Sequence, residues 1–444
     1  MHVVALDLGT SSVRARVVDE HGRFVPGVEP RQAYESEGGT VAPDELLEAA
    51  LGVADEARRA APAPLAATGV SCFWHSLLAL DERDRPLTPV LGWSDVRSAP
   101  QARELRLRLD PAAVHARTGS PLHPSFWPAK LAWLRAEEPQ TFARARRFVG
   151  FADYLFLRVT GELRTSLSQA SATGLWAGDG WDEELLAELD VRPEQLPAVS
   201  DEPVDGWFPA WGDGACSNVG TGCLTRERAA LMIGTSGALR VVHEDDPAPP
   251  RPGLFRYRVD ARRVVEGGAL SDGGNLYAWL QRTLRLPDHV SLAERPPGGH
   301  GLTFLPLLGG ERSPGWSIGS RGAVAGLSFA TTPEDLLQAA LEGVAYRFAE
   351  VADLLSEVEE VVATGAALAE NADWAQILAD VLGRPVRRGV REGSARGAGV
   401  LALQRLGASP PVAEAAAPFE PRPERAEAHR AARERQRALY ETLV

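Results

Sequence analysis

Two rhythms of apolar and polar residues alternate along the chain. HVVALDLG (2–9) is an apolar run interrupted only by Asp7, and VRARVV (13–18) alternates apolar and basic positions. Both are predicted as strands joined by a tight turn at Gly9-Thr10-Ser11-Ser12. A period of three to four, the mark of an amphipathic helix, runs over 43–60, 127–137, 182–190, 226–230, 333–358, 371–382 and 394–406. Thr332-Pro333-Glu334-Asp335 opens the 333–358 segment with a hydroxyl cap, a proline in the first turn and early acids. Strands alternating with helices predict an α/β fold. Residues 408–424 are rich in Ala, Pro and Glu and read as a linker, and 424–443 as a terminal helix packed at a solvated surface.

The first strand–turn–strand pattern returns 225 positions later. ALMIGTSGALRVV (230–242) again places Gly-Thr-Ser between two strands, so GTSS (9–12) lies over GTSG (234–237). A turn of Gly and hydroxyl residues offers backbone N–H groups and short donors to a phosphate. Either copy alone also fits an ordinary turn. The pair predicts two similar domains, each presenting a phosphate loop across a cleft. Only the first copy carries an acid two residues before its glycine, Asp7 against Met232, so the first domain is expected to handle a metal.

A length of 444 residues suits two domains. The hydrophobic fraction of 44% and charged fraction of 24% are those of a globular protein, and the net charge of -13 argues against nucleic acid as the main partner. No apolar run is long enough for a transmembrane helix, the N-terminus does not resemble a signal peptide, and a cytoplasmic location is expected. Cys72, Cys216 and Cys223 have no metal spacing and read as small buried side chains. Lys130 is the sole lysine among 47 basic residues. It is either a survivor of an arginine-rich composition or a position that needs a compact ammonium.

Three segments could carry chemistry. WGDGACSNVGTG (211–222) sets Asp213 between two glycines, open to a ligand and suited to take a proton from a hydroxyl; an Asp-Gly turn is the plainer reading. SCFWHSLLALD (71–81) and GWSDVRS (92–98) bring Trp74, His75, Ser76, Trp93, Asp95 and Arg97, and HPSFWPAKLAWL (123–134) adds His123, Trp127 and Lys130. Aromatic faces beside hydrogen-bonding side chains suit a polyhydroxy compound; each segment alone also reads as core.

These motifs resemble the FGGY family of carbohydrate kinases from about residue 1 to about 408. ALDLGTSSVRA and IGTSGA look like its two phosphate motifs, and RGAVAGLSFATTPEDLLQAALEG (321–343) like its C-terminal pattern. The resemblance implies two ribonuclease-H-like domains of the actin-like ATPase type around a nucleotide and sugar cleft. Residues 1–225 would carry the sugar and the phosphate and magnesium site, 226–408 the nucleotide site, and 409–444 a linker and terminal helix. It implies transfer of the ATP γ-phosphate to a sugar hydroxyl with Mg2+, Asp213 as base and Asp7 near the metal. Thr10, Ser11, Arg14, Gly234, Thr235 and Gly274 match phosphate or nucleotide contacts; His75, Ser76, Trp93, Lys130 and Asp213 match the sugar side. The paired glycines of the adenosine site fall on Ala366 and Ala367, with Gly365 one place early. HSLLALD, TGSPLHPSFWPAKLAWL and GDGACSNVGTG look most like gluconate kinases, which makes D-gluconate to 6-phosphogluconate the expected reaction. A carboxylate needs a cation, with His75, His123, Arg97 and Lys130 as candidates. A neutral pentulose such as xylulose is the alternative acceptor, and a non-catalytic sugar-binding protein or an actin-like ATPase the alternative class. Monomer and homodimer both remain open.

Overall fold

The computed structural model describes residues 1–287, 290–369 and 371–444. Two mixed sheets organise it, and they share one topology. The first runs Arg31–Ala33, Ser12–Asp19, His2–Leu8, Leu65–Cys72, Trp211–Gly212, with antiparallel pairing up to His2–Leu8 and parallel pairing beyond it. The second repeats that order as Arg263–Leu270, Gly237–Glu244, Arg228–Ile233, Glu360–Thr364, Val386–Arg388, with the same senses. It is extended at its edges by Phe255–Arg258 and Pro418–Phe419. GTSS and GTSG are therefore the same object, the turn between the central strand and its antiparallel neighbour.

The expected helices form as Pro43–Ala60, Trp127–Glu137, Glu183–Leu189, Pro333–Leu354, Ala372–Leu382 and Gly393–Arg405. Thr332 closes a capping box with Asp335 at the start of the longest. The segment 226–230 is not a helix. Arg228–Ile233 is the central strand of the second sheet, with Ala229, Ala230, Leu231 and Ile233 all buried. A strand covered on both faces reads as a continuous apolar run, which periodicity cannot separate from a short helix.

The chain end is more firmly attached than its composition suggests. Pro418–Phe419 pairs with Val386–Arg388. The terminal helix, Ala426–Leu443, buries His429, Ala432 and Gln436 against the second domain. Gln436 donates from Nε2 to the carbonyls of Phe304 (2.7 Å) and Gly343 (3.0 Å).

Two helices cross between the sheets. On Asp213–Thr221 and Gly393–Arg405, a Cβ at Gly220 would run into the Gly393 carbonyl and one at Gly397 into the Cys216 carbonyl. Backbone meets backbone there because no side chain intervenes. Gly393–Arg405 belongs to the second half of the sequence, yet Ala398, Leu401 and Ala402 share a core with Val3 and Ala5 of the first sheet, Ala215 of the crossing helix, and Ala238 and Val242 of the second sheet. The cysteines are free and buried. No helix among the described residues is long and apolar enough to cross a membrane.

Candidate active site

The first loop closes with Gly9 N donating to the Ser12 carbonyl (3.1 Å), which leaves Thr10 and Ser11 exposed at the tip. Asp7 sits at the root of the hairpin. Strand register puts it beside Arg14 on one neighbour and Ser71 on the other. Ser71 Oγ donates to Asp7 Oδ1 (2.8 Å), and Arg14 Nε lies 3.4 Å from Oδ2. Burial pushes the Asp7 carboxyl up to about 6; Arg14 and Ser71 pull it back, and Asp213 and Glu392 push it further up.

The second loop is held by the start of the Gly274–Thr283 helix: Gly274 N donates to the Gly234 carbonyl (2.8 Å) and Asn275 N to the Thr235 carbonyl (3.0 Å). A Cβ on Gly274 would collide with that Gly234 carbonyl. Gly365 follows the parallel neighbour strand and lies across Ile233 with φ +105°; a Cβ there would overlap the Ile233 main chain. Gly234, Gly274 and Gly365 therefore converge on one corner. Gly365 is the position that demands glycine, while Ala366 and Ala367 begin a short helix, Ala366–Ala369, where alanine fits.

Asp213 opens the Asp213–Thr221 helix, half-buried, with Gly214 N donating to its Oδ1 (2.8 Å). The flanking glycines do not clear a path for ligand as the sequence suggests. They make room for Trp74, whose indole occupies the place of a Cβ on Gly212 and crowds one on Gly214. Trp74 Nε1 is anchored on the Ser168 carbonyl (3.1 Å). Burial raises the Asp213 carboxyl above the usual range, and Arg240 and Arg312 hold it back.

The wall beside Asp213 is aromatic. The His75 ring packs edge-on against Phe126 (4.7 Å) and Tyr257 (5.6 Å), and Nδ1 donates to the Ala172 carbonyl (2.7 Å), so Nε2 is left as an acceptor. Trp93 lies under the Arg312 guanidinium, 4.2 Å from the ring centroid. Ser76 is buried, and its Oγ accepts from Phe151 N (3.0 Å) at the start of a helix.

The cations proposed from sequence for a substrate carboxylate are otherwise engaged. Burial holds His75 well below its ordinary value and takes His123 down to about 3, so both are neutral. Arg97 pairs with Asp95 (2.7 Å) and lies over Trp133. Lys130, 1% exposed, spends its ammonium on the carbonyls of His75 (2.6 Å) and Leu91 (3.2 Å). It lies buried inside the wall and not on the outer surface.

Sequence reading missed Arg240, Tyr257, Asp272 and Arg312. Arg240 was detectable as a lone charge in the apolar strand GALRVV (237–242), because a charge is rarely buried without purpose. Asp272 accepts from Gly309 N with both oxygens (3.1 and 3.2 Å), and burial pushes its carboxyl up to about 7.

Two sheets of one topology, each with a Gly-Thr-Ser hairpin beside its central strand, and Asp7 at the root of the first, define a two-domain kinase of the actin-like ATPase fold. The family models for the N-terminal and C-terminal domains of the FGGY family of carbohydrate kinases match residues 2–202 and 229–405, and the chain belongs to that family. It is a phosphotransferase that uses ATP to phosphorylate a sugar. Among curated relatives it is 29% identical to a gluconokinase of Bacillus subtilis (86% of this chain, 82% of the relative). It is 35% identical to a xylulose kinase of Streptomyces coelicolor (87% and 84%). The crystal structure of a gluconate kinase from Lactobacillus acidophilus superposes with a TM-score of 0.90 at 25% identity, covering 100% of this chain and 98% of that one.

Proposed function

We propose that this kinase phosphorylates a sugar acid, D-gluconate to 6-phosphogluconate, with Asp213 as the base. The observation that carries the catalytic assignment is the half-buried Asp213 carboxyl at a helix start, with its neighbour Gly214 packed against Trp74 of the aromatic wall. The acceptor hydroxyl gives its proton to Asp213 as its oxygen bonds the γ-phosphorus, and the bond from that phosphorus to the bridging oxygen breaks to release ADP. Thr10 and Ser11 from one domain and Gly234, Thr235, Gly274 and Gly365 from the other would cradle the nucleotide, with Arg14 beside Asp7. His75 Nε2 is available to accept from a sugar hydroxyl, and the Trp93 face to cover C–H groups. Ser76 and Lys130 would act through the shape of this wall.

Magnesium fits this donor set. Among the described residues no three His, Cys, Asp or Glu side chains gather into a metal cage. Mg2+ instead favours one or two carboxylates completed by phosphate oxygens and water. Asp7 would hold it, and it would supply neutralisation of phosphate charge.

Likeness to gluconokinases supports gluconate. The higher identity to a streptomycete xylulose kinase keeps xylulose as the second reading. A protein that binds sugar without turning it over is disfavoured by the presence of Asp213, His75 and Trp93 together. The deciding experiment is an ADP-release screen over gluconate, xylulose, ribulose and glycerol. Fastest turnover with gluconate is expected, and turnover of xylulose alone would overturn the choice.

A further inference from the structure

With the histidines neutral and Lys130 engaged, the substrate chamber still holds two guanidinium groups. Arg240 is 6% exposed and Arg312 8%. Arg240 Nε and Nη1 and Arg312 Nε have no hydrogen-bond partner among the described residues. Arg312 Nη2 donates to the Leu270 carbonyl (2.8 Å), and its plane rests on Trp93. Arg240 lies over Trp74, 6.0 Å from the ring centroid. Tyr257 packs edge-on against the rings of His75 (5.6 Å) and Trp74 (5.2 Å).

Buried donors without acceptors are costly, and two buried like charges repel. The acids nearest to them do not resolve this. Among the described residues no ion pair joins Asp213 or Asp272 to either arginine, and Asp272 is tied to Gly309 N with its carboxyl pushed up to about 7 by burial. Arg312 stays charged at neutral pH even though burial, with Arg240, takes it down to about 10. Both guanidinium groups thus keep buried donors without an acceptor among the described residues, the complement of an anionic ligand.

Two anions could meet it: a carboxylate on the acceptor, or the phosphoryl group in transit. Strand geometry favours the carboxylate. Ala238 and Val242 face the interdomain core, so alternation turns Arg240 the same way. Arg240 is three residues along the strand from Gly237, the end of the phosphate loop, about 10 Å further into the fold. A nucleotide held by the loops ends at their tips, whereas a six-carbon acceptor with its reacting hydroxyl at Asp213 extends inward.

We propose that Arg240 and Arg312 clamp the carboxylate of the acceptor and so select an aldonate over a neutral sugar or polyol; this rests on the reading of the cleft as the acceptor site of a kinase. Paired guanidinium donors match a carboxylate's two oxygens, which a neutral amide cannot do.

The test uses the full chain and tryptophan fluorescence, with Trp74 and Trp93 as reporters, in the absence of nucleotide. Wild-type protein is expected to bind D-gluconate at least roughly tenfold tighter than D-gluconamide, which keeps every hydroxyl and loses only the charge. Arg240→Gln and Arg312→Gln are each expected to erase that preference, weakening gluconate binding at least roughly tenfold more than gluconamide binding. Equal binding of acid and amide by the wild type overturns the proposal, and needs no variant to fold. So does a variant that keeps the preference, or one that raises the KM for ATP and slows all acceptors equally, which would put the arginines on the phosphoryl group. A preference that depends on the arginines without ADP release would support the clamp and instead overturn the role given to Asp213.

Discussion

Lys130 donates from Nζ to the main-chain carbonyl of His75 at 2.6 Å, tying the Trp127–Glu137 helix to the aromatic wall around His75. A second bond to the Leu91 carbonyl completes a bracket between two segments of that wall. A compact ammonium fits between two carbonyls where a planar fork does not, which accounts for the one lysine in an arginine-rich chain. Burial takes this ammonium down to about 7, with Asp95 opposing. Lys130→Met should leave both carbonyls unsatisfied, at about 1–3 kcal/mol each. The expected result is a lower Tm and a KM raised by a similar factor for charged and neutral acceptors. Lys130→Arg should fare no better. A KM increase confined to gluconate at unchanged Tm would show that the ammonium itself reaches substrate.

Asp213→Asn keeps the size of the side chain and loses the capacity to take a proton. Expected is a fall in kcat of about 10²–10⁴, with ATP binding intact. Tm should hold or rise slightly, since burial already disfavours the charged carboxyl. Steady-state kinetics and a thermal melt check this, and near wild-type kcat would remove Asp213 from its role.

Gly212→Ala would place a methyl group inside the Trp74 ring. Overpacking of this kind costs about 1–3 kcal/mol. Because Trp74 must shift and Asp213 is the next residue, stability and kcat should fall together. Trp74→Phe in the same chain should recover part of the lost stability. Independent, additive losses in that double-mutant cycle would contradict the contact.

Asp153 is buried, accepts from Gly150 N (2.7 Å) and caps the Phe151–Thr160 helix. Burial pushes it from 3.8 up to about 7. Between those values the folded protein holds a proton that the unfolded chain releases, so its contribution to stability declines as pH rises and levels off above about 7. The ceiling is on the order of 4 kcal/mol. Asp153→Asn cannot titrate, so its Tm relative to wild type should improve steadily from pH 4.5 to 7.5. A constant offset across that range would place Asp153 outside the titration.

The repeated Gly-Thr-Ser turn and the strands around it are local patterns, and they led to the two similar sheets and to the matching hairpins beside their central strands. Local pattern failed where neighbours in space decide. Arg228–Ile233 reads as helix until both of its faces are covered. The glycines beside Asp213 read as room for a ligand until Trp74, far earlier in the chain, fills them. The four cations expected to meet a carboxylate are neutralised or engaged by burial, by Asp95 or by carbonyls 55 and 39 positions away, whereas Arg240 and Arg312 keep unpartnered donors. Residue type and spacing set what a side chain can do. Whether its charge is free depends on desolvation and on partners distant in sequence, and only the tertiary structure brings those together.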